Sequence, residues 1–204
     1  MITFESISLN FDDKILFENF NHKFEKGSKT LIYGNSGKGK STLLRMILGF
    51  QSEYRGKISF NGTPLSPETI NRVRSQCSYV SQDVDLPDDT VKNVIDSIFM
   101  LKANRKITPD YDLFNKMAKD FQLPTGLLTK PTSELSGGER QRTGLIIAFM
   151  LKRPVLLLDE PTSAVESSMK NTIVSKIMES NKTALIVSHD PEWRDSSEIN
   201  ILEI

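Results

Sequence analysis

The chain has 204 residues, with 26 basic and 26 acidic side chains and one cysteine. This length supports one domain with a sizeable core. The neutral balance argues against a basic nucleic-acid footprint, so no nucleic-acid partner is expected. A single cysteine excludes an internal disulfide, and the 38% hydrophobic and 25% charged fractions are those of an ordinary globular protein.

In chain order, Met1 to Glu5 lack the basic and apolar blocks of a signal peptide. Ile2, Phe4, Ile7 and Leu9 suggest a first strand. Ile15-Leu16-Phe17 with Phe20, His22 and Phe24 suggest a second strand or pair, closed by the turn Lys26-Gly27-Ser28. His22 reads as a strand position, not a ligand. Thr30 to Tyr33 form a short buried strand that leads into Gly34-Asn35-Ser36-Gly37-Lys38-Gly39-Lys40-Ser41, followed by Thr42. This is the spacing G-x-x-x-x-G-K-S. Its glycines let backbone N–H groups turn inward on phosphate oxygens, the lysine adds a point charge at the β/γ-phosphates, and the serine hydroxyl can ligate Mg²⁺. A helix from about Gly39, carrying Leu43, Leu44, Met46, Ile47 and Leu48, adds its positive end and stops at Gly49.

Lys57 to Phe60 then turn at Asn61-Gly62, a strong hairpin signal, and Ser78-Tyr79-Val80 form a strand ending at Ser81-Gln82. Cys77, in that strand segment, reads as a core residue and not a nucleophile. From Asp83 to Lys152 the pattern turns helical. Thr90 caps one helix carrying Val91, Val94, Ile95, Ile98, Phe99 and Leu101; Asp110 or Asp112 starts a second with Leu113, Met117 and Phe121. The longest apolar run, Leu145 to Leu151, is far short of the roughly 18–20 residues that span a bilayer, so any work at a membrane falls to another chain. Val155 to Leu158 and Ala184 to Val187 read as strands buried on both faces, Ser167 to Glu179 as a helix between them, and Ile199 to Ile204 as a closing strand. The expectation is an α/β fold with a mostly parallel sheet and an N-terminal antiparallel β region. It forms one domain over 1–204: a core of 1–82 and 153–204, and an inserted helical subdomain at 83–152.

Two further stretches narrow the chemistry. Asp159 follows Leu156-Leu157-Leu158 at a strand end, where a carboxylate can hold Mg²⁺ opposite the loop hydroxyl. Glu160 follows at once and points elsewhere, free to polarise an attacking water. Leu135-Ser136-Gly137-Gly138-Glu139-Arg140-Gln141 opens a helix, and its N-terminus is a second anion site; alone, it also fits an N-cap with flexible glycines.

With these motifs in order from Phe4 to His189, the sequence resembles the ATP-binding cassette (ABC) ATPase family. Leu-Ser-Gly-Gly-Glu resembles the signature motif, Gln82 the Q-loop position, His189 the switch histidine, and Phe11 an aromatic that stacks on adenine. Ser163 to Glu166 sit at the D-loop, where Glu166 replaces the usual Asp. The resemblance implies a P-loop NTPase (RecA-like) fold, ATP and Mg²⁺ as ligands, and two chains sandwiching two ATP molecules. In that picture Gly34, Asn35, Ser36, Gly37, Lys38, Gly39, Lys40, Ser41 and Thr42 hold nucleotide. Ser41, Gln82 and Asp159 serve the metal, and Glu160, His189, Gln82 and Lys40 serve hydrolysis. Ser136 and Gly138 complete the partner's site. Glu139 adds negative charge near that interface. The implied setting is cytoplasmic, at the inner face of the cell membrane, on a separate permease. The segments Val80–Gln82, Asp89–Val94 and Leu123–Leu135 look like the small ATPase of bacterial iron-export systems. The iron–sulfur-cluster assembly ATPase is the alternative.

Overall fold

The structure, a computed structural model, describes residues 1–11, 14–196 and 198–204. The chain runs through β1 (Ile2–Phe11), β2 (Lys14–Phe24), β3 (Lys29–Tyr33), α1 (Lys40–Ile47), β4 (Arg55–Phe60), β5 (Thr63–Pro64), α2 (Ile70–Arg74) and β6 (Cys77–Val80). It continues through α3 (Val91–Met100), α4 (Tyr111–Asp120), α5 (Gly137–Met150), β7 (Val155–Asp159), α6 (Ser167–Met178), β8 (Thr183–Val187), α7 (Pro191–Arg194) and β9 (Asn200–Glu203).

The strands form two sheets. One is antiparallel in the order β2-β1-β4-β5; the other has the order β6-β7-β8-β3-β9, and its neighbours pair in parallel. The inner strands β7 and β8 are buried along their whole length because both faces are covered, whereas the edge strand β9 is largely exposed. Val155 and Leu157 of β7 join one core with Ile32, Leu185, α1 and the antiparallel sheet. Leu156 and Leu158 point the other way, into a second core with Leu31, Ile186 and helices α3 to α6. Alternation with a period of two thus divides one continuous leucine run between two layers.

The expected antiparallel region is present. Its second strand is a single element carried past irregularities in the β1–β2 register. Ser6 and Asn19 adopt positive φ there, and side chains replace missing ladder bonds: Asn21 Oδ1 accepts from the Ser6 N–H at 2.8 Å, and Ser8 Oγ from that of Asn19 at 3.1 Å. Asn61 and Gly62 turn with φ of 50° and 78°, the positive pair a two-residue hairpin requires. His22 lies half-buried between Phe20 and Phe24, a strand residue as expected.

In the helical block, Thr90 and Asp110 cap α3 and α4, accepting from the N–H groups of Asn93 at 3.2 Å and Leu113 at 3.0 Å. The buried face of α4 is Phe114, Met117 and Ala118, turned slightly from the expected one, and Leu113 is only partly covered. The block does not have a core of its own: its side chains merge with α5, α6 and the sheet. Arg153 fastens it further, donating to the carbonyls of Arg74 and Cys77 and to Asn104 Oδ1 at 2.9, 2.6 and 2.6 Å. Cys77 is buried and its thiol is pushed up to about 12 by desolvation, which suits a core residue and not a nucleophile. No helix among the described residues is long and apolar enough to cross a membrane.

Candidate functional site

The site is built on one rim of the parallel sheet. β3, β7 and β8 run the same way, so the segments following Tyr33, Asp159 and Val187 emerge together. In open α/β sheets this carboxyl rim is where ligands collect. Gly34, Gly37 and Gly39 adopt φ of 153°, 76° and 95°, and α1 begins at Lys40 as the motif predicts. Lys40 is buried, and its Nζ donates to the carbonyls of Gly34 at 2.8 Å and Asn35 at 3.0 Å, so the ammonium lies across its own loop. Burial lowers its pKa, and the nearby carboxylates of Glu160 and Asp159 oppose that fall. Asn35, Ser36 and Lys38 are exposed around the loop, and Thr42 is half-buried in the first turn of α1.

Ser41 Oγ donates to Asp159 Oδ1 at 2.8 Å, joining the loop to the end of β7. Tyr79 Oη donates to the other oxygen, Oδ2, at 3.3 Å. Asp159 is 4% exposed. Glu160 leaves the strand with φ 48°, a left-handed conformation that costs a non-glycine residue about 1–3 kcal/mol. Its N–H donates to the Val187 carbonyl at 2.8 Å. The two adjacent acids therefore have separate surroundings. Desolvation raises the pKa of Glu160, with Asp190 and Asp159 adding to the rise and His189 opposing it. His189 Nε2 lies 3.8 Å from Glu160 Oε1, and the imidazole meets Tyr33 edge-on with ring centroids 5.9 Å apart. The Arg194 guanidinium covers the Tyr33 ring at 3.4 Å.

The other expected residues divide. Phe11 ends β1 and is 46% exposed, an aromatic ring open to solvent. Gln82 is exposed, and no hydrogen bond among the described residues ties it to Asp159 or Ser41. It lines a separate cleft of about 340 Å³ with Gly137, Gln141 and Ala164. Ser136 forms a complete capping box: Glu139 N–H donates to Ser136 Oγ at 3.2 Å, and Ser136 N–H to Glu139 Oε2 at 2.7 Å. Glu139 is thus a cap as well as a charge at this helix end, with Lys130 at 3.8 Å from its other oxygen. Glu166 sits at the N-cap of α6 with no side-chain cap bond.

Sequence reading missed three features. Lys14 brings its Nζ to 3.0 Å from where a Cβ on Gly37 would sit. Gln141 donates to the Glu160 carbonyl at 2.7 Å. Gly138 lies so close to the D-loop that a Cβ would meet the Ala164 carbonyl oxygen at 2.5 Å. Gly138→Ala is expected to destabilise the chain by about 1–3 kcal/mol through overpacking, partly offset by about 1 kcal/mol of helix propensity. A denaturant melt checks this; an unchanged midpoint would show that the backbone gives way freely.

Residues 17–163 match the family described as ABC transporter. The chain belongs to the ABC transporter family. It is 38% identical over 185 residues to the probable iron export ATP-binding protein FetA of Escherichia coli (strain K12), covering 89% of this chain and 80% of the relative. It is 31% identical over 214 residues to the ergothioneine transport ATP-binding protein EgtV of Helicobacter pylori (strain G27), covering 100% and 97%. The fold superimposes on the dimeric post-hydrolysis structure of the ATP-binding cassette MJ0796 bound to ADP and Pi, with a TM-score of 0.82 and 22% identity over 100% of this chain and 96% of the other. That last likeness is one of fold alone. This ABC chain is thus an ATP-binding cassette and an ATPase of the transporter class, and the iron–sulfur assembly alternative finds no support among these relatives.

Proposed function

We propose that two copies of this chain, or this chain and a close relative, close on two ATP molecules and so drive a separate membrane permease. The observation that carries the chemistry is the Ser41–Asp159 bond, with Glu160 beside it on the same rim. A hydroxyl and a carboxylate side by side are hard oxygen donors, which fit Mg²⁺ with substrate phosphates and water filling the remaining positions. When bound, Mg²⁺ neutralises charge that develops on the phosphoryl oxygens. In this reading the loop N–H groups and Lys40 hold the phosphates, Phe11 stacks on the base, Glu160 takes a proton from water, and His189 orients toward the γ-phosphate.

The helix N-terminus at Ser136 is the second anion-binding end. No hydrogen bond among the described residues connects it to the loop of its own chain, and a partner's nucleotide suits it. For the permease contact we assign the groove of about 370 Å³ lined by Leu48, Phe50, Arg74, Ile98 and Leu101. Phe50 and Leu101 are 62% and 58% exposed, and Arg74 lies 4.9 Å above the Phe50 ring; an apolar segment of the permease fits this surface. For the cargo we propose iron export, on the FetA likeness.

The composite site predicts that turnover per chain rises with chain concentration and then saturates, and that chelation with EDTA stops it. Phosphate release over a dilution series measures both. Turnover per chain that stays constant down to concentrations where the chain is monomeric would sink the shared-site reading.

A further inference from the structure

We propose that Gln141 is a positioning residue for Glu160, coupling the carboxylate's backbone to the N-terminal end of α5; this rests on the reading of Glu160 as the base. The left-handed conformation of Glu160 needs restraint from neighbours. On the N–H side the restraint is strand pairing to Val187. On the carbonyl side it is three donors, Gln141 Nε2 at 2.7 Å and, from Ser163, Oγ at 3.0 Å and the N–H at 3.2 Å. They differ in kind. Ser163 is local, exposed and three residues away, whereas Gln141 comes from another element and is 1% exposed.

Only an N–H can face a carbonyl, so the Gln141 amide orientation is fixed. Among the described residues its Oε1 is buried without a partner. Three residues earlier, on the same side of α5, Gly138 packs against the Ala164 carbonyl. The N-terminal end of α5 therefore grips the segment from Glu160 to Ala164 at both ends. A rotation or shift of that helix end is transmitted to the conformation that aims the Glu160 carboxylate. Since the same helix end carries Ser136, a nucleotide held there by the partner would also bear on the base of this chain.

The test is Gln141→Met, which keeps the length and removes the donor. The expected result is kcat reduced about 10-fold or more, as for a misplaced reacting group, with ATP affinity within about twofold. The melting temperature stays unchanged. Added to Glu160→Gln, the same substitution changes the residual rate less than about twofold, because the two act as one unit. A kcat within twofold of the unsubstituted chain, or a fall in kcat matched by equal falls in affinity or melting temperature, would overturn the positioning role. Retained turnover in Glu160→Gln alone would instead overturn the underlying assignment of the base. If Gln141→Met does not fold, Gln141→Leu removes the same donor with another apolar side chain; a kcat within twofold of the unsubstituted chain there also overturns the proposal.

Discussion

Glu160→Gln is expected to lower ATP turnover on the order of 10²–10⁴-fold, the usual contribution of a positioned general base, while leaving ATP affinity within a few-fold. The substitution preserves size and hydrogen-bonding reach, so the left-handed backbone and its bonds to Val187 and Gln141 can remain. An amide cannot accept the proton of an attacking water. Binding survives because the phosphate-holding groups in the proposed site belong to the loop. Steady-state phosphate release and an equilibrium ATP titration separate the two quantities, and the undischarged ATP should leave a dimer visible by size-exclusion with light scattering. Turnover at the unsubstituted rate would remove Glu160 from the base position. The pH dependence has a definite sign. The base works ionised, and burial raises its pKa, so kcat falls as pH drops through a value above the ordinary carboxylate range. That acid limb disappears in Glu160→Gln.

Lys40→Ala is expected to weaken ATP binding on the order of 10- to 100-fold, the equivalent of losing a charge-assisted interaction worth roughly 1.5–3 kcal/mol. The Lys40 ammonium is buried at the loop and bonded to the Gly34 and Asn35 carbonyls, so its removal deletes both the charge and two bonds that shape the loop. Lys40→Arg should not restore affinity, since a planar guanidinium cannot take the place of a compact ammonium between those carbonyls. Isothermal titration with ATP and Mg²⁺ checks both variants. Unchanged affinity in Lys40→Ala would argue against the phosphate role.

Much of this architecture was legible in the sequence because single rules decided it. The loop glycines declared themselves by spacing, and their φ angles follow. The buried run at β7 identified a strand covered on both sides, and Thr90, Asp110 and Ser136 marked helix starts that their cap bonds bear out. What escaped the sequence is non-local. Gln141 and Glu160 lie 19 positions apart, and nothing in the spacing signals a side chain reaching a distant backbone carbonyl. Gly138 resembled a flexible helix opener; only the approach of Ala164 shows why a side chain does not fit. The Ser-x-x-Glu pattern at Ser136 and Glu139 also holds the capping box that they make. Helices α2 and α7, of 5 and 4 residues, are too short to show a period.

The end of β7 also constrains how the two acids can be exchanged. Asp159 remains in register opposite Val187, and Glu160 is the first residue past the ladder, turned left-handed. Their separate surroundings are assigned by the last rung of the sheet, not by the side chains. Reversing the pair to Glu-Asp preserves composition, charge and motif length, yet puts a longer arm against Ser41 and a shorter one toward His189. Position along the strand works here as an address, and two chemically similar groups keep distinct surroundings because one rung separates them.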